Sequence, residues 1–250
     1  YYHMNIFFPK EHINEARFSL TGETAEKFLK KNIDLYVEET VQFQDALLKN
    51  LIETAKVKTI PRHQGLSSAD IICSLNKLNL DDINHVKQNA LIVSFLDPFN
   101  EVELISELKN RSISSISMEL VPRTTRAQKM DALSSQANLA GYSAVIIASN
   151  YLEKALPMMM TAAGTISPSK VFVVGVGVAG LQAIATAKRL GARVEAFDTR
   201  EEVEDQVKSL GARFVKIDLG ETEQTSQGYA KALTADQIKK QQEGMKKVCS

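Results

Sequence analysis

Short runs rich in β-branched and aromatic residues alternate, through the first half of the chain, with stretches whose apolar residues recur at spacings of three and four. The runs cover residues 5–8, 34–38, 69–75, 90–96 and 112–120, and the clearest helical spacings lie at 23–31 and 100–109. Parallel strands need long crossover connections, which helices usually supply, so this alternation predicts an α/β domain with a mostly parallel sheet.

Residues 126–160 follow another pattern. Proline is absent until Pro157, and Met130, Leu133, Ala137 and Ala140 lie at helical spacing, which predicts one long helix, broken or bent near Gly141. Met158, Met159 and Met160 read as the end of that helix packing into a core. Pro157, Gly164 and Pro168 then punctuate the chain and set a domain boundary at about residues 160–170. A second α/β unit follows, with strands at 171–175, 193–197 and 214–217, helices at 180–190 and 201–210, a polar segment at 218–227 and a last helix at 235–248. The expected organisation is an N-terminal α/β domain (4–125), a linking helix (126–165) and a Rossmann domain (166–250). Only three strands of the last are visible against about six in a complete doubly wound fold, so it reads as a first half.

Composition narrows the function. Thirty Lys and Arg balance thirty Asp and Glu, which argues against nucleic acid or an anionic membrane surface as partner. The longest apolar runs are far shorter than the roughly 20 residues of a membrane span, and no leader pattern follows Met4, so the chain reads as soluble, with residues 1–3 a remnant before a natural start. Cys73 and Cys249 are far apart and suggest a reducing compartment. His12, His63 and His85 are scattered and read as surface residues, and no metal site is expected. Lys239, Lys240, Lys246 and Lys247 read as a solvated helix face.

The strongest motif is Gly175-x-Gly177-x-x-Gly180, directly after an apolar strand and at the mouth of a helix. The first glycine permits the tight turn, the second lets backbone approach a pyrophosphate, and the third lets helix and strand pack closely. The helix N-terminus adds unpaired N–H groups and a positive dipole end. At the end of the next strand stands Asp198, whose carboxylate can accept from both ribose hydroxyls and repel a 2′-phosphate, favouring NAD over NADP. Arg200 complicates this choice, because an arginine after that strand can serve a 2′-phosphate. A second polar cluster spans residues 122–136; by its residues alone it is best explained as a solvated loop and helix start capped by Thr124 or Thr125.

The runs MELVPR (118–123), RAQKMD (126–131), LSSQANLAGY (133–142), PMMMTAAG (157–164) and GVGVAGLQAIATAKRLG (175–191) resemble domain I, the NAD(H)-binding part of proton-translocating nicotinamide nucleotide transhydrogenase, a fold related to alanine dehydrogenase. The resemblance is weak over residues 5–115 and strong over 118–215. It implies that Arg123, Gln128 and Asp131 lie beside the nicotinamide as the catalytic loop, with Thr124, Thr125, Arg126 and Ser134 contributing to binding. It further implies cofactor contacts from Val178, Ala179, Gly180, Asp198, Thr199 and Arg200, and a mobile loop holding Gly228 and Tyr229. The implied activity is hydride transfer from NADH to NADP⁺ held on a separate NADP(H)-binding domain, coupled to proton movement through a membrane domain. A homodimer at the cytoplasmic face of an inner membrane, or the matrix face of a mitochondrial-type one, is implied as well.

Two other functions compete. Alanine dehydrogenase shares the architecture, and Arg17 could match its substrate arginine, but the expected lysine falls on Ser74 and the expected histidine around Ser94 or Phe95. Amino-acid oxidation without a general acid or base is disfavoured. The other alternative is a nucleotide-binding fragment without turnover.

Overall fold

Local signals place most helix starts. Thr21, Asp45 and Asn79 each hold extended backbone and accept from an amide three residues on, which caps α1 (Gly22–Leu29), α2 (Ala46–Glu53) and α4 (Leu80–His85). The computed structural model describes residues 3–220, 222 and 232–249. It divides into two units, Tyr1–Asp131 and Ala132–Ser250.

Unit 1 is an α/β domain. Its sheet is formed by β1 (Asn5–Phe8), β2 (Asp34–Glu38), β3 (Lys58–Ile60), β4 (Ile71–Asn76), β5 (Leu91–Phe95) and β6 (Ser114–Ser117), all parallel, in the order β3-β2-β1-β4-β5-β6. Alternation along each strand sorts its side chains onto two faces. Phe7 and Ile72 pack with residues of α3 (Arg62–Ser68), α4 and α5 (Val102–Asn110), whereas Ile6, Phe8, Leu35 and Val37 pack with those of α1 and α2. Helices therefore cover both faces, as in a doubly wound domain. Strand β3 has no counterpart in the sequence reading, because it is three residues long and Lys58 and Thr59 are exposed.

Unit 2 contains α6 (Ala132–Tyr151), the antiparallel hairpin β7 (Met159–Thr161) and β8 (Gly164–Ile166), then β9 (Lys170–Val174), α7 (Val178–Arg189), β10 (Arg193–Phe197), α8 (Glu204–Ser209), β11 (Arg213–Phe214) and α9 (Ala235–Cys249). Strands β11, β10 and β9 form a parallel sheet in that order. Val171, Val173, Val194, Ala196 and Phe214 face Ile184 and Ala187 of α7. Phe172, Phe197 and Val215 point the other way, into a cluster that includes Met245 and Val248 of α9. This three-stranded sheet is thus covered on both faces too.

Three expectations need correction. The helix runs unbroken through Gly141 and spans Ala132–Tyr151 rather than 126–160. Gly141 is there for proximity: a β-carbon on it would collide with the Ala179 carbonyl oxygen at the start of α7. The three methionines are not a helix end in a core, since Met158 precedes and Met159 and Met160 lie within the exposed hairpin. The histidines are also less scattered than their sequence positions suggest, since the His63 and His85 rings meet edge to face with centroids 4.5 Å apart.

Gly141→Ala separates the two roles of this glycine. Helix propensity alone would stabilise the variant by up to about 1 kcal/mol. The collision with Ala179 is instead expected to destabilise it by about 1–3 kcal/mol. A thermal melt that moves up rather than down would refute close packing as the reason for glycine.

Candidate functional site

In an open parallel sheet, ligands bind outside the carboxyl ends of the strands, at the point where strand order reverses. In unit 1 that point lies between β1 and β4, and a cleft of about 300 Å³ opens there, lined by Lys10, Glu11, Glu38, Arg62, Ser74 and Asp82 among others. The protein's own carboxylates occupy its backbone donors. Glu38 accepts from the Lys10 amide at 2.7 Å, and Glu11 accepts from those of Leu75 and Asn76 at 2.6 and 3.0 Å. Glu119 does the same for Leu96 and Asp97, which accounts for its place in the MELVPR run. Arg62 bonds Glu38 at 2.8 Å and Asp82 at 2.7 and 2.8 Å, tying β2, α3 and α4 together. With these amides satisfied internally, this edge offers no cradle for a pyrophosphate.

Unit 2 presents the opposite arrangement. Gly175 adopts a positive φ of 93°, which favours glycine, and its amide donates to the Phe197 carbonyl at 2.8 Å. A β-carbon on Gly180 would strike the Gly175 carbonyl oxygen, so the third glycine is required for helix and turn to meet. Gly177 is the N-cap of α7 and supplies no side-chain cap, unlike the caps of α1, α2 and α4. A twelve-residue helix therefore opens toward the strand ends with first-turn amides that no capping side chain satisfies. Such an end accommodates an anion.

Asp198 stands at the end of β10, only 9% exposed. One carboxylate oxygen accepts from the Val176 amide at 2.7 Å and from Arg200 Nη2 at 2.9 Å. The other accepts from the Arg200 amide and Nε, both at 2.9 Å. Burial pushes the Asp198 pKa up, but the hydrogen bonds from Arg200 and Val176 outweigh it and hold the carboxyl below its ordinary value. Thr199 and Asp198 line a small cleft of about 90 Å³ together with Phe214, Lys216, Asp218, Leu219 and Thr222. Sequence reasoning missed these last residues. Their one signal was position in and just beyond the strand predicted at 214–217.

The remaining candidates lie in the segment between the two sheets. Arg123 and Asp131 approach to 4.0 Å across a turn in which the Thr124 carbonyl accepts from the amides of Ala127 and Gln128. Thr124, Thr125 and Arg126 are exposed, Gln128 begins a short 3₁₀ turn, and Ser134 sits in the first turn of α6. Gly228 and Tyr229 lie outside the described residues. Among the described residues, no group of three or more His, Cys, Asp or Glu could hold a metal ion.

The family model for the alanine dehydrogenase/PNT N-terminal domain matches residues 7–140, and that for the C-terminal domain matches 144–249. The chain belongs to the alanine dehydrogenase/PNT family. Within this family it is 42% identical over 252 residues to an NAD(P) transhydrogenase alpha-subunit chain of Rickettsia prowazekii and 40% identical over 254 residues to that of Rhodospirillum rubrum. These alignments cover 98% of this chain and 66% of each relative, so the chain spans just under two thirds of their length. Among solved structures, the transhydrogenase of Sinorhizobium meliloti matches with a TM-score of 0.77 and 42% identity, over 86% of this chain and 62% of that one. An L-alanine dehydrogenase matches with a TM-score of 0.71 at 20% identity, over 84% of this chain and 60% of that one, and shows the shared fold.

Because its folded pKa lies below the unfolded value of about 3.9, the Asp198 carboxylate contributes stability above that pH and loses it as pH falls through the folded pKa. Asp198→Asn is expected to cost about 1–3 kcal/mol at neutral pH. The gap to the parent should shrink below about pH 4. Denaturant melts across this range check it, and a gap that does not change with pH would contradict the assignment.

Proposed function

We propose that this chain is the NAD(H)-holding component of a proton-translocating transhydrogenase, acting in hydride transfer between NADH and NADP⁺ bound on a partner domain. The reading is carried by the uncapped N-terminus of α7 at a glycine turn with Asp198 at the next strand end, in a chain 42% identical to a transhydrogenase alpha subunit.

A bound nicotinamide supplies the hydride chemistry, so the protein needs no acid or base at the reacting carbon. Its work is placement and exclusion of water. In this reading the amides of Val178, Ala179 and Gly180 take the pyrophosphate, while Asp198, Thr199 and Arg200 address the adenosine ribose. Arg123, Gln128 and Asp131, with Ser134, orient the nicotinamide, and Thr124, Thr125 and Arg126 shape the same loop. Gly228 and Tyr229 are assigned to nucleotide contact.

Alanine oxidation receives less support. The alignment sets Ser74 at the expected lysine and Ser94 or Phe95 at the expected histidine; Ser74 and Ser94 are buried, and their hydroxyls lie 3.3 Å apart. Arg17 forms a close ion pair with Glu15 at 2.6 Å.

No described helix is long and apolar enough to cross a membrane. The proton path is assigned to a membrane domain of the transhydrogenase. The chain would sit peripherally, at the cytoplasmic face of an inner membrane or the matrix face of a mitochondrial-type one. A second copy is the proposed cover for the apolar surface of unit 2, where Tyr151 is 82% and Met160 79% exposed.

Mixed with an isolated NADP(H)-binding domain, the chain is expected to reduce an NADP⁺ analogue at the expense of NADH. Gln128→Asn should slow transfer about tenfold or more, since misplacement of a reacting group is costly, while leaving NADH affinity nearly intact. Stopped-flow transfer at the parent rate would overturn the role of Gln128. NADH binding without any transfer would favour a nucleotide-binding fragment.

A further inference from the structure

An ionised carboxylate has about four lone-pair sites. At Asp198 four donors already fill them: the amides of Val176 and Arg200, and Nε and Nη2 of the Arg200 side chain. A ribose diol therefore meets no vacant acceptor on this side chain. Two of the four donors are backbone and are fixed by the turn after β9 and the chain after β10. The other two belong to one guanidinium, which can swing.

We propose that Arg200 sets discrimination at the 2′ position of the adenosine ribose by competing with the nucleotide for Asp198. This rests on the reading that unit 2 holds NAD(H). Entry of a 2′,3′-diol exchanges two guanidinium bonds to Asp198 for two hydroxyl bonds, while the Val176 and Arg200 amides keep the carboxylate in place. The displaced guanidinium stays tethered two residues away and faces the same end of the ribose. Its planar fork matches a phosphate as well as it matches a carboxylate. Nη2 also donates to the Val176 carbonyl at 3.2 Å, so one atom connects the discrimination site to the turn that approaches the pyrophosphate.

Asp198 and Arg200 thus act in opposition. While Asp198 is charged, it engages the arginine and repels a 2′-phosphate. Neutralising it hands the arginine to that phosphate. Removing the arginine frees the carboxylate for the diol and leaves a 2′-phosphate facing only negative charge.

The test is titration of the full chain with NADH and with NADPH, followed by nucleotide fluorescence. The readout is the ratio of the two affinities in each preparation, which cancels any loss of folded protein. Arg200→Gln is expected to raise the NADH preference, and Asp198→Asn to lower it, each by about tenfold or more. Arg200→Lys, which keeps the charge without the fork, should fall between the parent and Arg200→Gln, and it serves if the glutamine variant fails to fold. Ratios within about twofold of the parent, or an Arg200→Gln variant that loses NADH affinity more than NADPH affinity, would overturn the proposal. A parent chain that binds neither nucleotide would instead overturn the reading beneath it.

Discussion

One hydrogen bond organises the candidate site: the Val176 amide, in the turn after β9, donates to the carboxylate of Asp198 at the end of β10. At the carboxyl edge of a parallel sheet the backbone runs out of ladder partners, and each exposed amide must find another acceptor. Asp198 supplies one from the neighbouring strand, and the Gly175 amide finds the Phe197 carbonyl. Together they hold the glycine turn against β10, which leaves the first turn of α7 aimed past the sheet edge. Arg200 completes the arrangement by neutralising a carboxylate that burial alone would disfavour.

The two units share a winding pattern and differ in how that edge is closed. In unit 1, Glu38, Glu11 and Glu119 reach across from neighbouring segments and consume the amides at the ends of β1, β4 and β5. Side chains of that length fill the space a phosphate would need. In unit 2, glycines occupy the turn after β9, and the N-cap of α7 contributes no side-chain hydrogen bond to its first turn. Asp198 apart, unit 2 carries glycine along this edge where unit 1 carries carboxylates.

The site was legible where chemistry depends on spacing. Gly175 is required by its positive φ and Gly180 by its contact with the Gly175 carbonyl, so their offset is fixed by the turn itself. The saturation of Asp198 was not legible. Whether a carboxylate two residues before an arginine points to solvent or folds back on that arginine depends on burial at the strand end. The cleft residues Asp218 and Thr222 escaped notice because they come from a polar segment with no periodicity, and Lys216 because it was read as part of a strand. For the loop around Arg123 and Asp131, residue chemistry alone suggested a solvated turn, and family resemblance supplied its candidate role.

Sequence by itself determined the α/β class, the parallel sheets and the glycine turn, because strand period, helix period and glycine spacing are local consequences of backbone geometry. Tertiary structure decided what depends on a neighbour brought from elsewhere. Gly141 looked like a helix break, yet it is a packing contact, since only the approach of Ala179 reveals why a side chain is forbidden there. Met158 to Met160 read as core by hydrophobicity, yet among the described residues β7 pairs only with β8 and leaves them exposed. Strand β3 is too short and polar to announce itself and forms because β2 offers it a parallel ladder. In each case the deciding contact lies on another segment, and no local pattern can encode its distance.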